Sequence, residues 1–211
     1  MARATRRAIL ASYRAEAPML AERYENLGPG VSLGPFSWAL GLDVEGRRRS
    51  GDVARPLRVL DLGAGTGAGA RSGGRAGLLG WAVEPGTALW RFEGRRLVAD
   101  ELPGLLRLAG APRFDCILAL GVWHHLSPPE RRLAWRRLRA LARPRGQVLM
   151  SVRLGPSPPG RARFPANLWS ERAQARAQGF TLMRHEPRAS VPPGNRAQNV
   201  RWLWLWFERR G

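Results

Sequence analysis

The spacing of apolar residues changes near Leu57. Residues 2–27 are rich in helix formers with apolar side chains at helical spacings, and they predict one or two helices. From Leu57 onward, short apolar runs alternate with helix-like stretches, which is the pattern of βαβ units and a parallel sheet. We therefore predict an N-terminal helical appendage, or lid, over residues 1–50 and an α/β domain over residues 51–211.

The predicted strands of the α/β domain are short apolar runs separated by turns. They lie at residues 57–60, 78–83, 96–99, 114–120, 147–152, 180–183 and 200–208. The run at 114–120 is the most hydrophobic in its half of the chain, so we expect it at the centre of the sheet. In the last run, tryptophan alternates with leucine and phenylalanine, and we expect both faces of that strand to be buried.

Helices are predicted between these strands. The clearest begins at Ser127, where a serine N-cap, prolines in the first turn and Glu130 form a capping box. Arginines surround its apolar stripe, and we expect them to form a solvated face. A helix over 71–76 is weakened by glycines, which have low helix propensity. A further helix is predicted over 166–178.

The charge of the chain first suggests a nucleic-acid partner. Its formal net charge is +19, and strongly basic domains often bind phosphates. All 35 basic residues are arginine, however. This bias fits an Arg-, Ala-, Gly- and Pro-rich coding background at least as well as selection for phosphate contacts. Nucleic acid therefore stays an alternative partner.

Membrane insertion and secretion are not indicated by the sequence. The apolar runs are far shorter than the roughly 18 to 20 residues that span a bilayer, and the apolar stretch after Arg7 is too short for a signal-peptide core. Cys116 is the single cysteine and lies in an apolar run, so we expect a buried thiol. These features predict a cytoplasmic protein.

The strongest chemical signal is a carboxylate at a strand end followed by a glycine-rich turn. Asp61 precedes Gly63-Ala64-Gly65-Thr66-Gly67. Glycines allow a tight turn and let the backbone approach a ligand closely. Residues 65–70 also fit a dinucleotide template, but a carboxylate beside a pyrophosphate would be repulsive. Asp61 instead favours a ligand that carries positive charge.

Acidic residues also follow the next two predicted strands. Glu84-Pro85 lies about 20 residues past the glycine turn, where a carboxylate can accept ribose hydroxyls. Asp100-Glu101-Leu102 follows the third strand and suits an adenine amino group. The alternative is that Asp100 or Glu101 only caps a following helix.

Together these motifs resemble those of class I S-adenosylmethionine-dependent methyltransferases. The resemblance rests on residues 61–67, 84–85, 100 and 121–126, Gly-Val-Trp-His-His-Leu, and it covers residues 55–153. The chain is similar in particular to small bacterial methyltransferase-domain proteins with an N-terminal Tyr-x-x-Glu-Ala-type helix, here residues 13–17. It departs from the family at Arg145, where a second glycine is usual.

The resemblance implies a fold, a cofactor and a set of site residues. The fold is a three-layer, Rossmann-like α/β sandwich with a mostly parallel seven-stranded sheet, an antiparallel C-terminal strand and an N-terminal helical appendage. The cofactor is S-adenosylmethionine: Asp61 would hold its amino group, Glu84 its ribose and Asp100 its adenine. The implied cofactor-binding residues are Tyr13, Asp61, Gly63, Ala64, Gly65, Gly67, Glu84, Pro85, Asp100, Glu101, Leu102, Gly121 and Val122.

His124 and His125 are the candidate catalytic residues. They follow the fourth strand, at the edge where open α/β sheets bind ligands, and an imidazole can take a proton from an attacking atom. The alternative is one buried, hydrogen-bonded histidine and one that faces solvent. Adjacent histidines with His185 far away lack the spacing of metal ligands, so no metal is predicted.

The sequence therefore predicts a methyltransferase that acts on an oxygen, nitrogen or carbon nucleophile of a small-molecule acceptor. Methyl transfer needs mainly alignment in water-poor surroundings, which agrees with the lack of a nucleophile motif. The alternatives are an RNA or DNA methyltransferase that uses the arginine excess, a non-catalytic S-adenosylmethionine-binding protein and a nucleotide-dependent oxidoreductase. The acceptor itself is not identified by the sequence.

Overall fold

The computed structural model describes residues 2–26, 56–67, 79–90 and 96–211. Within them the strands are β1 (Arg58–Leu62), β2 (Leu79–Val83), β3 (Leu97–Val98), β4 (Phe114–Leu120), β5 (Ala142–Leu154), β6 (Phe180–Ala189) and β7 (Arg201–Arg209). The α-helices are α1 (Ala2–Ala15), α2 (Ala17–Glu25), α3 (Pro128–Leu141), α4 (Leu168–Ala177) and α5 (Pro193–Ala197). Single 3-10 turns lie at Thr87–Leu89, Leu106–Leu108 and Trp123–His125. The helix predicted over 71–76 lies outside the described residues.

The strands form one sheet in the order β3-β2-β1-β4-β5-β7-β6. All neighbouring pairs are parallel except those of β7, which is antiparallel to both β5 and β6. This confirms the predicted mostly parallel, seven-stranded sheet. The chain order reverses between β1 and β4, and such switch points leave a ligand crevice at the carboxyl ends of the strands.

The core lies between this sheet and the helices packed on it. Its largest cluster joins β4, β5 and β7 with apolar residues of α3 and α4, including Trp135 and Ala175. A smaller cluster that includes Cys116 and Trp204 is formed by β1, β4, β5 and β7 residues. Cys116 is buried, as the apolar run predicted. Trp202 and Trp206 are only half-buried, so the expectation that both faces of β7 are fully buried was wrong at these positions.

Two strand boundaries differ from the prediction. β5 starts at Ala142, directly after α3, and not at the predicted Gln147. A register irregularity between Phe114 and Cys116 of β4 lets β4 and β5 pair on both sides of the turn predicted before Gln147. Arg145 has φ of 63°, a left-handed conformation that glycine adopts more easily. β6 extends to Ala189 although most of its residues are exposed, because pairing with β7, and not an apolar pattern, forms this edge strand.

The helix start at Ser127 has the predicted capping box: Glu130 accepts hydrogen bonds from the backbone and side chain of Ser127. One arginine of α3 departs from the predicted solvated face. Arg131 is buried and forms an ion pair with the fully buried Glu171, 3.3 Å apart. Glu171 also accepts a hydrogen bond from Trp123 at 2.9 Å. This buried group therefore fixes the turn that carries His124 and His125.

Candidate functional site

A cavity of about 530 Å³ opens at the carboxyl ends of the strands, near the switch point. It brings together every residue that the sequence predicted for the site except Gly67. Gly67 lies buried beneath the turn with φ of 77°, and its N–H donates to Ala64 at 2.9 Å. Gly67 therefore closes the turn and does not line the cavity.

The glycine turn after β1 is held by backbone hydrogen bonds to β2. The N–H groups of Gly63 and Ala64 both donate to the carbonyl of Val83, at 2.8 and 3.0 Å. Gly63 has φ of 70°, and a Cβ at this position would overlap Val122 Cγ1. Glycine is needed at position 63 for its left-handed conformation. It is also needed because Val122, in the loop after β4, lies directly against the Gly63 backbone.

Asp61 and Glu84 place two carboxylates in this part of the cavity. Burial, followed by the negative charge of Glu84, raises the pKa of Asp61 to about 7. Burial raises the pKa of Glu84 as well, although the N–H groups of Gly86 and Gly65 oppose this. A cationic ligand group would stabilise both carboxylates in their charged forms.

Glu84 also has a structural role that the sequence did not reveal. One carboxylate oxygen accepts the N–H of Gly65 at 3.0 Å, and the other accepts the N–H of Gly86 at 2.8 Å. The side chain therefore ties the glycine turn to the end of β2. Each carboxylate oxygen has a second acceptor site, which leaves capacity for a ligand hydroxyl.

Asp100 lines the cavity and also caps the chain that follows it. Its two oxygens accept the N–H groups of Glu101, at 2.8 Å, and Arg107, at 2.6 Å. Asp100 therefore caps the chain that follows it, as the alternative interpretation of the sequence predicted, and it also lines the cavity. Neighbouring Glu101 bonds the guanidinium of Arg6 at 3.1 Å, which links this corner of the cavity to α1.

The two histidines differ in their hydrogen bonds. His125 Nδ1 lies 2.8 Å from the carbonyl of Ala162, and a carbonyl only accepts, so Nδ1 carries a proton. His125 Nε2 then accepts the hydroxyl of Tyr13 at 3.2 Å. His124 is buried, and its Nδ1 accepts the N–H of Arg153 at 3.4 Å. His124 is thus buried and hydrogen-bonded, whereas His125 is half-buried, lines the cavity and is bonded on both nitrogens.

Burial is the main cause that keeps both imidazoles neutral. It lowers the pKa of His124 well below its usual range, and the charges of His125 and Arg153 add to the effect. Burial also lowers the pKa of His125, opposed by the bond to Ala162 and assisted by Arg161 and Arg153. At neutral pH, His125 has a proton on Nδ1 and His124 has one on Nε2.

The N-terminal helices form one wall of the cavity. Arg6, Ile9, Leu10, Tyr13 and Arg14 of α1, with Leu20 and Arg23 of α2, line it. Besides Glu101, Arg6 pairs with Glu130 at the start of α3. Arg161 pairs with Glu16 at 2.7 Å and lies over the Tyr13 ring, 4.3 Å from its centre. These contacts hold α1 on two sides of the opening.

The opposite wall contains residues that the sequence did not single out. It is formed where β5 and β6 end and the antiparallel β7 begins, and includes Ser151, Arg153, Arg188, Ser190, Asn195, Trp202 and Trp204. The tryptophans stood out in the sequence only as core residues of β7. Pairing of β5 with β7, between segments far apart in the chain, brings these residues together.

The described residues contain no group of three or more His, Cys, Asp or Glu side chains that could hold a metal ion. Among the same residues, no helix has the length and apolar character needed to cross a membrane.

The sheet order, the antiparallel β7 and the acid-lined glycine turn define a class I, Rossmann-like methyltransferase. A family model described as a methyltransferase domain matches residues 41–208, and the chain belongs to this family. No protein of curated function matches the sequence.

Several solved structures share the fold at low sequence identity. The 1,6-didemethyltoxoflavin-N1-methyltransferase of Burkholderia thailandensis, with 1,6-didemethyltoxoflavin and S-adenosylhomocysteine bound, has 19% identity and a TM-score of 0.70, covering 100% of this chain and 91% of its own. Magnesium protoporphyrin IX methyltransferase of Synechocystis PCC 6803, with bound SAM, has 17% identity and a TM-score of 0.56, covering 74% and 71%. Phosphoethanolamine N-methyltransferase 2 of Haemonchus contortus has 17% identity and a TM-score of 0.55, covering 76% and 50%.

Replacing Gly63 by alanine tests the contact between the glycine turn and the β4 loop. Gly63→Ala should lose about 1–2 kcal/mol from the left-handed conformation, and more from the overlap with Val122. Gly110→Ala is a matched control, because Gly110 has φ of 79° with nothing within 4 Å of a new Cβ. Chemical denaturation should show the larger loss of unfolding free energy for Gly63→Ala. Equal losses would contradict the close approach of the two loops.

Proposed function

We propose that this protein is an S-adenosylmethionine-dependent methyltransferase that methylates an oxygen, nitrogen or carbon nucleophile of a small-molecule acceptor. The observation that carries the proposal is the meeting of Asp61, Glu84 and Asp100 in one cavity beside the glycine turn. A ligand with an ammonium group, ribose and adenine fits this set. Family membership and the fold support the same conclusion.

The residues of the cavity fit the parts of the proposed cofactor. Asp61 would accept hydrogen bonds from its ammonium group. The remaining acceptor sites of the Glu84 carboxylate suit the ribose hydroxyls. The corner formed by Asp100, Glu101 and Leu102 suits adenine. Gly63, Ala64 and Gly65 provide backbone beside the cavity, with Pro85, Gly121 and Val122 on the neighbouring strand ends. The cofactor supplies a methyl group already activated on a sulfonium.

The two histidines have different proposed roles. A proton on the acceptor's nucleophilic atom would pass to the Tyr13 oxygen as Tyr13 gives its own proton to His125 Nε2, which makes His125 the final base. The Nδ1 lone pair of His124 is bonded to the Arg153 N–H, so His124 is not the base.

A small acceptor agrees with the shape of the cavity. Its volume of about 530 Å³ lies in the range of about 300–1,000 Å³ that is usual for small-molecule sites. Two structural neighbours are named for small substrates, 1,6-didemethyltoxoflavin and magnesium protoporphyrin IX. The helices α1 and α2 line one side of the cavity, which supports a lid role for the described part of the appendage at 1–50 over a domain at 51–211; residues 27–50 lie outside the described residues.

The pH dependence of cofactor binding tests the role of Asp61. In the empty cavity its carboxyl is protonated below about 7, and only the charged form attracts an ammonium group. Affinity for S-adenosylhomocysteine, which keeps that ammonium, should therefore rise as pH increases through this value and level off above it. Isothermal titration calorimetry measures the effect. Asp61→Asn should bind about 10- to 100-fold more weakly at high pH, with little pH dependence.

Two controls separate this effect from a loss of folding. Asp115→Asn removes a carboxylate that bonds the Arg58 N–H at 2.8 Å, outside the cavity, and should leave binding unchanged. The raised pKa of Asp61 also means that its ionisation destabilises the folded protein, so stability falls as pH rises toward 7. Asp61→Asn should lack that contribution. Affinity independent of pH in the wild type would refute the role of Asp61.

Histidine tautomers test the proposed proton path. Nitrogen-15 NMR of the imidazoles should show His125 protonated on Nδ1 and His124 on Nε2 at neutral pH. Tyr13→Phe removes the hydroxyl that His125 Nε2 accepts, so the His125 Nε2 resonance should shift while His124 keeps its signal. The exposed His185 is an internal reference. The opposite tautomer at His125 would rule out proton transfer from Tyr13.

Hydrogen exchange tests the lid. Arg6 joins α1 to Glu101 and Glu130, so Arg6→Ala should speed amide exchange throughout α1 and weaken S-adenosylhomocysteine binding. Arg7→Ala is the matched control, because Arg7 is exposed on the same helix and is not part of the cavity wall. If both variants behave alike, the Arg6 contacts do not hold the lid.

A further inference from the structure

A hydrogen-bonded group of four side chains lies on the cavity wall opposite the acids. Trp202 Nε1–H donates to Ser190 Oγ at 3.1 Å, and Asn195 Nδ2 donates to the same oxygen at 2.9 Å. Asn195 Oδ1 accepts a guanidinium N–H of Arg153 at 3.2 Å. The Arg153 guanidinium lies over the Trp202 ring, 5.7 Å from its centre. We call these four residues the Arg153 network; all of them line the cavity.

Strand register places Arg153 and Trp202, the two strand residues of the network, on one face of the sheet. Trp202 of β7 lies between Arg153 of β5 and Arg188 of β6 as direct cross-strand partners. Side chains of such partners point to the same face. Arg153 is additionally held by its Nε–H, which donates to the Pro156 carbonyl at 2.7 Å. The guanidinium and the indole are therefore fixed before any ligand binds.

The network begins where the proposed methionine end of the cofactor site stops. Ser151, two residues before Arg153, accepts the N–H of Gly121 at 2.9 Å. A Cβ on Gly121 would lie 3.7 Å from the Trp202 ring. β4 separates β5 from β1, which puts the strand of Arg153 about 10 Å from that of Asp61. The network is thus next to the reaction centre but away from the cofactor's ammonium.

The acids and two of the arginines lie on different strands of the sheet. The acids follow β1, β2 and β3, whereas Arg153 and Arg188 lie near the ends of β5 and β6; arginines of α1 and α2 also line the cavity, and one of them, Arg6, pairs with Glu101. Arg161 pairs with Glu16 and Arg188 with Glu186, and the Arg153 guanidinium bonds the Pro156 carbonyl and Asn195 Oδ1. Arg153 is buried, and its positive charge contributes to the lowered pKa of both His124 and His125. Positive potential therefore reaches the space beside the histidines.

We propose that the Arg153 network is the acceptor subsite and that it selects a planar aromatic acceptor carrying an anionic group. This rests on the proposed methyltransferase function. The Arg153 guanidinium suits a carboxylate or phosphate oxygen. The rings of Trp202 and His124, 5.7 Å apart and at 65°, suit an aromatic acceptor through edge and face contacts. Asn195 and Ser190 hold these groups in position.

Matched probes test the charge and the ring separately. Isothermal titration calorimetry would be run on the protein saturated with S-adenosylhomocysteine. The probes are indole-3-carboxylate, indole-3-carboxamide, 4-hydroxybenzoate, 4-hydroxybenzamide and cyclohexanecarboxylate. At least one aromatic carboxylate should bind about 10-fold or more tightly than its carboxamide, because a hydrogen bond to a charged group is lost. It should also bind more tightly than the cyclohexane acid.

Variants assign that preference to the network. Arg153→Gln should abolish the preference for carboxylate without changing S-adenosylhomocysteine affinity. Asn195→Ala keeps the arginine but removes its support, so it should reduce the preference, and it remains informative if Arg153→Gln does not fold. Arg184→Gln is the control: it removes the same charge from an exposed position on β6 outside the cavity and should keep the preference.

The outcomes separate this inference from the function on which it rests. Failure of the wild-type protein to bind S-adenosylhomocysteine would refute the proposed function. If that ligand binds, the acceptor inference is overturned by equal binding of acids and amides, by no binding of any aromatic acid, or by a preference that survives both network variants. It is also overturned if Arg153→Gln weakens cofactor binding instead, since Arg153 would then serve the cofactor's own carboxylate.

Discussion

The buried carboxylate of Glu84 is the interaction on which the site depends. It accepts N–H groups from Gly65 and Gly86 and so joins the turn after β1 to the turn after β2. The same negative charge, in a cavity where burial already disfavours ionisation, raises the pKa of Asp61. One side chain therefore shapes the glycine turn and prepares a neighbouring carboxyl for a cation. Its apolar surroundings are what make both effects strong.

The sheet was largely predictable because its information is local. Each central strand is a short apolar run of the chain, and the class resemblance implied a mostly parallel sheet of seven strands with an antiparallel last strand. The errors occur where contacts between distant segments override the local pattern. β6 is polar but pairs along β7, and Arg131 looks like a surface residue of α3 but meets buried Glu171. In both cases the two partners, β6 with β7 and Arg131 with Glu171, are separated in the sequence by other elements.

The same difference separates the two halves of the site. The acids and glycines of the proposed cofactor half directly follow β1, β2 and β3, so motif spacing was enough to predict that they meet at one edge of the sheet. Arg153, Ser190, Asn195 and Trp202 instead come together through the register of β5, β6 and β7. A shift of one residue would move Arg153 or Trp202 to the other face. No sequence motif specifies that register, and the second wall became visible only in the structure.

The two walls of the cavity have different proposed tasks. The wall with Asp61 and Glu84 would hold the cofactor, and the wall with Arg153 and Trp202 would hold the acceptor. The reacting atoms would then meet beside Gly121, whose N–H is bonded to Ser151 between the two walls. Methyl transfer gains its rate mainly from such alignment in water-poor surroundings. The helix α1, held by Arg6 and Arg161, forms a further side of the cavity, and in the proposed function it would act as a lid that keeps water from the space between the walls.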